Sequence, residues 1–360
     1  MLMKIHRATR LYETWLAKQI SLVHKDLVLK HGLMKRDAFS FLRATFYRWM
    51  QVWPEVCGDL VTAPLLRAIG DLHVENFGTW RDSEGRLIWG INDFDEAYPL
   101  PYTNDLVRLA VSATLAVDTK HLAIKAKDAY DALLTGYTEG LNSRGRPFVL
   151  AEQHRWLRDI ATNKLRDPVE FWQKMEALPP VKGAVPHNVR AALDQLMPEA
   201  GLSYRLRRRV SGLGSLGRPR FVALADWQGG KIAREAKALG PSACVWAGGG
   251  HGLTTIFYQS MLDQAVRGRD PFVRMQGSWL VRRLSPYCSR IELTSLPRKR
   301  DEGNLLYAMG WETANVHLGN HKAITAIQRD LATRKAKWLH GAAKQMTSVT
   351  ISDWTDWARR

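Results

Sequence analysis

The stretch AIGDLHVENFG, residues 68–78, sets Asp71, His73, Glu75 and Asn76 close together among apolar flanks, and GINDFDEA, residues 90–97, repeats the theme with Asp93, Asp95 and Glu96. This acid and amide chemistry is concentrated in a chain of the opposite balance, with 52 Lys+Arg against 35 Asp+Glu and a net charge of +17 over 360 residues. Each acidic stretch ends a short apolar run (LLRAIGD and RLIWGINDFD), as strands running into functional turns do, and SEG at 83–85 is a turn between them.

Asp71 and Asn76 stand five apart, the D-x4-N spacing of a kinase-type catalytic loop. One carboxylate must reach an acceptor hydroxyl while an amide oxygen one loop-turn later reaches a metal ion on the nucleotide phosphates. Asp93 follows a strand-like run, where a second metal-binding acid would stand, with Asp95 nearby. Phosphoryl transfer asks for positioning and charge neutralisation more than covalent chemistry, so acids and an amide around Mg2+ suffice. The competing reading makes GD and ND plain turn or cap residues and His73 a structural histidine. The two motifs together, in this order, weigh against it.

Outward from this region, residues 7–57 read as helical, with breaks near Gly32 and Pro54. TNDLVRLAVSATLAV begins a further helix with Thr103 or Asn104 as its N-cap, and helices continue to about residue 200 around the interruptions RDPVEF and LPPVKGAVPHN. Residues 203–238 change character: YRLRRRV alternates, SGLGSLG is a glycine turn, RPRFVALADW is strand-like, QGG is a hairpin turn, and KIAREAKAL is ambiguous. PFVRMQGSWLVRRLSP and SRIELTSL add strands, and helices resume from GNLLYAMGWETANVHLGNH to about residue 345. Trp311 and His317 read as core, and the terminal SDWTDWARR as an amphipathic end that packs.

Gly212, Gly214 and Gly217 form a G-x-G-x-x-G. A dinucleotide-binding reading requires a helix directly after them, whereas a strand follows here. Strand, glycine loop, strand is the arrangement that covers nucleotide phosphates in kinases. Arg205, Arg207 and Arg209, at period two, read as a solvated basic strand face. Lys237 ends the next candidate strand, where a kinase-type fold carries its phosphate-pairing lysine, and Lys231 competes for that role.

Cys57, Cys244 and Cys288 make neither a disulfide framework nor a zinc pattern, the N-terminus lacks the apolar core of a signal peptide, and no run is long enough for a membrane span. A cytoplasmic protein with no membrane partner is expected. The basic balance favours anionic partners: nucleotides, phosphorylated metabolites or nucleic acid.

The two stretches resemble the HGDxHxxN and IDFDxA pair of aminoglycoside phosphotransferases and related small-molecule kinases, and YTNDLVRLA is similar to their downstream helix carrying an Asp-Leu, here Asp105 and Leu106. More closely, GDLHVENFG, NDFDEA, GLGSLG, REAKALGPS and WETANVH resemble, in order, the hallmarks of the bacterial domain-of-unknown-function family 2252. The resemblance implies Asp71 as catalytic base, Asn76, Asp93 and Asp95 as metal ligands, and Gly212, Gly214, Ser215 and Gly217 as the phosphate cover. It further implies Lys237 as the lysine on the nucleotide, with ATP and Mg2+ as cofactors. Two departures stand out: Ala238 follows Lys237 where a glutamate would stand, and HGLTTIFYQSMLDQ offers no glutamate to hold the lysine. The order of parts is also inverted, since the catalytic loop precedes the glycine loop. The expected fold is therefore α+β, a protein-kinase-like two-lobe fold in circularly permuted order. Residues 1–202 and 298–360 would form a mostly helical large lobe and 203–297 a β-rich small lobe, with the glycine loop facing Asp93 across a gap on the order of 10 Å. The expected activity is transfer of the ATP γ-phosphate to a hydroxyl of an unknown acceptor. The alternatives are a nucleotide-binding pseudokinase without turnover and a basic nucleic-acid-binding protein.

Overall fold

Apolar residues at three- and four-residue spacing build the first part of the chain into helices α1 (Ile5–Ala17), α2 (His24–Arg36), α3 (Ala38–Ala44) and α4 (Phe46–Val56), with the single turn α5 (Gly58–Val61) behind them. The computed structural model that shows this describes residues 3–359 apart from 120, 152, 162–166, 287 and 289–300. The break expected at Gly32 falls instead at Asp37, whose side chain accepts from Ser40 N at 2.6 Å and caps α3. Gly32 faces open space and costs only helix propensity, whereas a capping carboxylate satisfies an otherwise orphaned donor. Pro54 lies inside the last turn of α4.

Four short strands follow: β1 (Leu65–Ala68), β2 (Phe77–Arg81), β3 (Leu87–Ile91) and β4 (Tyr98–Pro101). β2 pairs antiparallel with β3 from Phe77↔Ile91 to Arg81↔Leu87, and β1 pairs with β4 from Leu65↔Pro101 to Ala68↔Tyr98. The two ladders are nested. The inner one leaves residue 76 beside residue 92 and the outer one leaves 69 beside 97, so the two acidic stretches face each other as loops. Asp82 shapes the β2–β3 turn by accepting from Glu84 N and Arg86 N at 3.0 and 2.9 Å. β2 is not visible in the sequence pattern because four of its five residues are buried on both faces, which erases the alternation of a half-exposed strand.

α6 (Tyr102–Asp118) and α7 (Ala126–Asn142) come next, then β5 (Phe148–Val149) at the edge of β3, and α8 (Arg155–Ala161), α9 (Pro168–Glu176) and α10 (His187–Asp194). Thr103 and Asn104, the expected caps, sit within the first turn of α6. Thr103 Oγ1 donates to Leu60 O at 2.9 Å, and Asn104 Oδ1 accepts from Trp49 Nε1 at 2.9 Å. Within the expected interruption RDPVEF, the described residues from Asp167 on start a helix: Asp167 caps α9 and Pro168 takes its first position.

β6 (Arg205–Arg208), β7 (Arg220–Trp227), β8 (Gly230–Ala238), helices α11 (Ala243–Ala247) and α12 (Tyr258–Gln264), and strands β9 (Val273–Gln276) and β10 (Trp279–Leu284) form the second unit. The strands make an antiparallel sheet in the order β6-β7-β8-β10-β9. Gln228 and Gly229, with φ of 46° and 79°, make the tight β7–β8 turn. The ambiguous KIAREAKAL is β8, a central strand buried on both faces. Ala236 and Ala238 pack under α10 on one face, and Glu235 and Lys237 point from the other. The expected strand SRIELTSL lies outside the described residues.

α13 (Glu302–His317), α14 (His321–Thr333) and α15 (Trp338–Ala358) close the chain, beyond the expected end near residue 345. α15 packs against α2, α3, α4 and α6, and one core joins these early and late helices around the strand pairs. Trp357 stacks on His6 at 4.6 Å and is buried with Ile5 and Met34, so the terminal segment packs as expected. The architecture is mixed α+β. Among the described residues, no helix is long and apolar enough to cross a membrane.

Candidate active site

Gly70 begins the first loop with φ +82°, and a Cβ there would stand 2.4 Å from Glu96 O, so a side chain is excluded by both conformation and space. Gly70→Ala is expected to destabilise the fold by at least about 1–3 kcal/mol, the usual cost of such a backbone conformation alone. Thermal denaturation checks this, and an unchanged melting temperature would contradict the close approach of the loops.

α6 holds the loop from below. Asp105 accepts from Ile69 N at 2.7 Å and Gly70 N at 3.0 Å. His317 Nε2 lies 2.9 Å from Asp105, and Tyr137 Oη 2.8 Å from His317 Nδ1. With Nε2 donating to the carboxylate, Nδ1 accepts from the tyrosine. His317 is core, as expected, and also links α7, α13 and α6 beneath Asp71.

One turn along α6, the fully buried Arg108 grips Asp71 Oδ1 through Nε at 3.0 Å and through Nη2, which also donates to Leu42 O at 2.9 Å. The guanidinium lies between the rings of Phe46 and Trp49 at 5.0 and 4.9 Å, which locks its orientation. Asp71 Oδ2 is left toward the cleft, and 21% of the side chain remains exposed there. Enclosure lifts the Asp71 pKa more than Arg108 lowers it, to about 7, with Glu96 and Asp93 adding to the rise.

Asn76 Oδ1 accepts from His73 N at 2.6 Å, Arg43 pairs with Glu75 at 2.7 Å, and Asn92 N donates to Asn76 O at 3.0 Å, which ties the first loop to the second. Asp95 N donates to Asp93 Oδ1 at 3.2 Å. Lys237 reaches across from β8 to bond Asp95 and lies 3.8 Å from Asp93. Arg218 donates to Glu96 at 2.8 Å, and Glu96 also accepts from Ala243 N at 2.7 Å. Burial would raise Asp95, but Lys237 and then Arg218 outweigh it and hold the carboxyl at about 2. Asp93 is pushed upward, by enclosure first and then by Asp95 beside it, though solvent softens this push because 41% of its side chain is exposed. Lys237 is pushed down by burial, against the pull of both carboxylates.

The glycine turn (Leu213–Ser215 as one 3-10 turn) closes the cleft from above. Lys30 Nζ donates to Gly214 O at 3.0 Å and Val23 N to Gly217 O at 2.8 Å, so α2 and its leading residue fasten the turn at two points. Behind it, Glu235 is wholly buried between Arg209, Arg220 and Arg282 at 2.6, 2.9 and 2.8 Å, and Arg220 Nη2 donates to Ser215 Oγ at 2.5 Å.

The resulting narrow cleft is lined by Asp71, Asn76, Asp93, Asp95, Gly212, Gly214 and Ser215 together with Arg43, Glu75, Glu96 and Arg218. Lys237 joins through Asp95. Lys231 does not: it is exposed and pairs with Glu176 at 2.6 Å. Gly217 also stands outside the lining, packed on Leu27 of α2. The glycine turn lies close over Asp71, since a Cβ on Gly214 would meet Arg43 O at 2.7 Å and Asp71 Oδ2 at 3.4 Å. Arg205 is solvent-exposed, as expected of a basic strand face, and pairs with Glu176 at 2.9 Å, whereas Arg209 turns to buried Glu235 at 2.6 Å.

Among the described residues no three His, Cys, Asp or Glu side chains converge on one point. The oxygen donors at hand are two carboxylates, Asp93 and Asp95, and the Asn76 amide. One or two carboxylates, with substrate phosphates and water, is the usual protein share of a magnesium site. Asp95 Oδ1 is buried without a hydrogen-bond partner, which fits a cation on that side. The residues present fit Mg2+.

Residues 22–169 match a bacterial protein family. It is described as "Uncharacterized protein conserved in bacteria (DUF2252)", and the matched segment carries both acidic loops and Arg108. The glycine turn and Lys237 lie beyond the part that matches the family. No curated protein and no solved structure matches the chain.

Arg108, Arg218 and the arginines around Glu235 did not emerge from the sequence. A signal for the first was present: Asp105, Arg108 and Ser112 recur at helical spacing through the mostly apolar middle of α6, and all three are fully buried. Ser112 Oγ accepts from Val74 N at 3.1 Å, so this stripe holds the loop along its length.

Proposed function

We propose that this chain is a kinase-like phosphotransferase that moves the terminal phosphoryl group of a magnesium nucleotide, ATP in the simplest case, to a hydroxyl of an acceptor. The observation that carries this reading is the meeting of Asp71, Asn76, Asp93 and Asp95 with a glycine turn from a distant part of the chain in one cleft. A glycine turn between the first two strands of an antiparallel sheet, with a lysine on the third, supports a small lobe over residues 203–297. The packing of α15 on α2–α4 supports one large lobe built from both ends of the chain, in circularly permuted order.

In this reading Asp71 Oδ2 takes the acceptor proton while Arg108 holds the other oxygen, and a carboxyl titrating near 7 is suited to that exchange at neutral pH. Asp93, Asp95 and Asn76 would hold Mg2+, which when bound neutralises charge on the phosphates. Lys237 exchanges its carboxylate partners for phosphate oxygens, and Arg220 and Ser215 stand ready behind the turn. Until that exchange Asp93 and Asp95, and no helix-borne glutamate, are the acids that hold Lys237. The glycine turn has to lift from Asp71 to admit a phosphate.

A second reading, a nucleotide binder without turnover, is favoured by the closed turn and by the Lys237 ammonium lying between the two acids. Calorimetry with a non-hydrolysable ATP analogue, with and without Mg2+, followed by a turnover assay, separates the two. Magnesium-dependent binding with turnover supports the first reading, and binding without turnover the second. Asp93→Asn is expected to weaken the magnesium-dependent binding at least about tenfold. Equal affinity in the two proteins would remove Asp93 from the site, and absence of nucleotide binding by the wild type would end both readings.

A further inference from the structure

Behind Asp93 lies a second, small pocket that shares Asn92 with the cleft. Three arginines reach it, Arg267, Arg282 and Arg283, against one acid in its lining, Asp270. Arg282 is committed to Glu235 at 2.8 Å. Arg283 donates to Arg81 O at 3.2 Å and lies 3.6 Å from Asp270, but its Nε is buried without a partner. Arg267 is the unusual member. Its guanidinium lies over the Trp80 ring at 4.2 Å and near Phe94 at 5.4 Å, and its Nε and Nη1 are buried without a hydrogen-bond partner. No carboxylate forms an ion pair with it among the described residues. Glu312, the acid that acts on it most strongly from within the core, is hydrogen-bonded by Ile91 N at 3.1 Å and Asn315 Nδ2 at 2.8 Å.

A guanidinium held by aromatic rings, with two of its nitrogens buried and unmet, is costly unless an anion completes it. The planar donor fork matches the oxygens of a phosphate group, and the second arginine with a free Nε widens the same basic wall. We propose that this pocket is an anion-binding site for a phosphate-class group, with Arg267 as its principal donor and Arg283 beside it. The group could belong to the nucleotide itself or to a separate phosphorylated small molecule, and the site stands whether or not the chain transfers phosphate.

Calorimetric titration of inorganic phosphate at constant ionic strength tests this on the wild type, Arg267→Met and Arg267→Lys. Constant ionic strength removes the general response of a chain carrying +17. The wild type is expected to bind saturably, Arg267→Met about tenfold more weakly or worse, and Arg267→Lys between them, since a lysine keeps the charge but not the fork. Ligand-free Arg267→Met is expected to melt at or above the wild-type temperature, because an uncompensated charge has been removed. Saturation that is identical in wild type and Arg267→Met, or no saturable binding by the wild type, would overturn the proposal. So would a lower ligand-free melting temperature with phosphate affinity unchanged, which would mark Arg267 as a stacking residue only. Should Arg267→Met fail to fold, the comparison of wild type with Arg267→Lys decides. Titrating the magnesium nucleotide into Arg267→Met then separates the sources: a parallel loss of affinity places the nucleotide's own phosphate here, and an unchanged affinity assigns the pocket to a separate ligand.

Discussion

Asp71→Asn is expected to bind the magnesium nucleotide as the wild type does and to turn it over about a hundred- to ten-thousand-fold more slowly, the usual contribution of a positioned base. The amide keeps the shape of the carboxylate and can still meet Arg108 through its oxygen, so the loss falls on proton transfer rather than on binding. If no acceptor is at hand, slow hydrolysis of the nucleotide by water serves as the readout. The pH profile carries the same signature. The base works as the carboxylate, and with burial lifting it to about 7, the wild-type rate should climb with pH through neutrality and level off above it. Arg108→Met removes a neighbour that lowers this pKa, so the rising limb should move to higher pH. An Asp71→Asn variant with unchanged turnover, or an acid limb indifferent to Arg108, would remove Asp71 from the role of base.

Glu235→Gln should strongly destabilise the five-stranded sheet, costing about 3–5 kcal/mol as expected for removal of one partner from a buried ionic cluster. Glu235 is wholly buried and meets Arg209, Arg220 and Arg282, so an amide would leave three guanidinium groups facing one another with no anion between them. Burial tends to raise its pKa, but Arg282, Arg209 and Arg220 outweigh that and hold the carboxyl well below its usual range. A depressed acid stabilises the folded state above its unfolded pKa of about 4.3 and loses that contribution as pH falls below it. The wild type should therefore lose stability on acidification below about pH 4 more steeply than Glu235→Gln does. Urea denaturation at neutral and acid pH measures both effects. A change under about 1 kcal/mol at neutral pH would mean that solvent, not Glu235, satisfies the arginines.

Much of this was legible in the sequence where chemistry and periodicity coincide. The acids of the two loops are short polar insertions in apolar runs, so their place at strand ends could be read directly. Gly212, Gly214 and Ser215 could be read because a strand follows them at once. What stayed hidden was hidden by burial. β2 and β8 are covered on both faces, so neither shows the alternation that marks a half-exposed strand. Lys237 could not be told from Lys231 by pattern, because the difference lies in what each meets: the cleft carboxylates Asp95 and Asp93 in one case, Glu176 at the surface in the other. Arg108 and Arg218 are one-residue features whose partners are distant in sequence. The closed glycine turn depends on α2, which enters the picture only in three dimensions.

The nested ladders also bear on how such a chain can tolerate insertions and deletions. The separation of Asn76 from Asp93 is set by the β2–β3 arm, not by its length, because the arm folds back at Asp82 and returns in register to Asn92. Extra residues at the tip of that arm would hang in solvent and leave both loops in place. A single residue gained or lost inside either strand would turn every following side chain to the opposite face and carry the acids away from each other. Drift in chain length should therefore collect around residues 82–86, and the same bend is the place to insert a fluorescent or affinity label without disturbing the cleft one strand-length away.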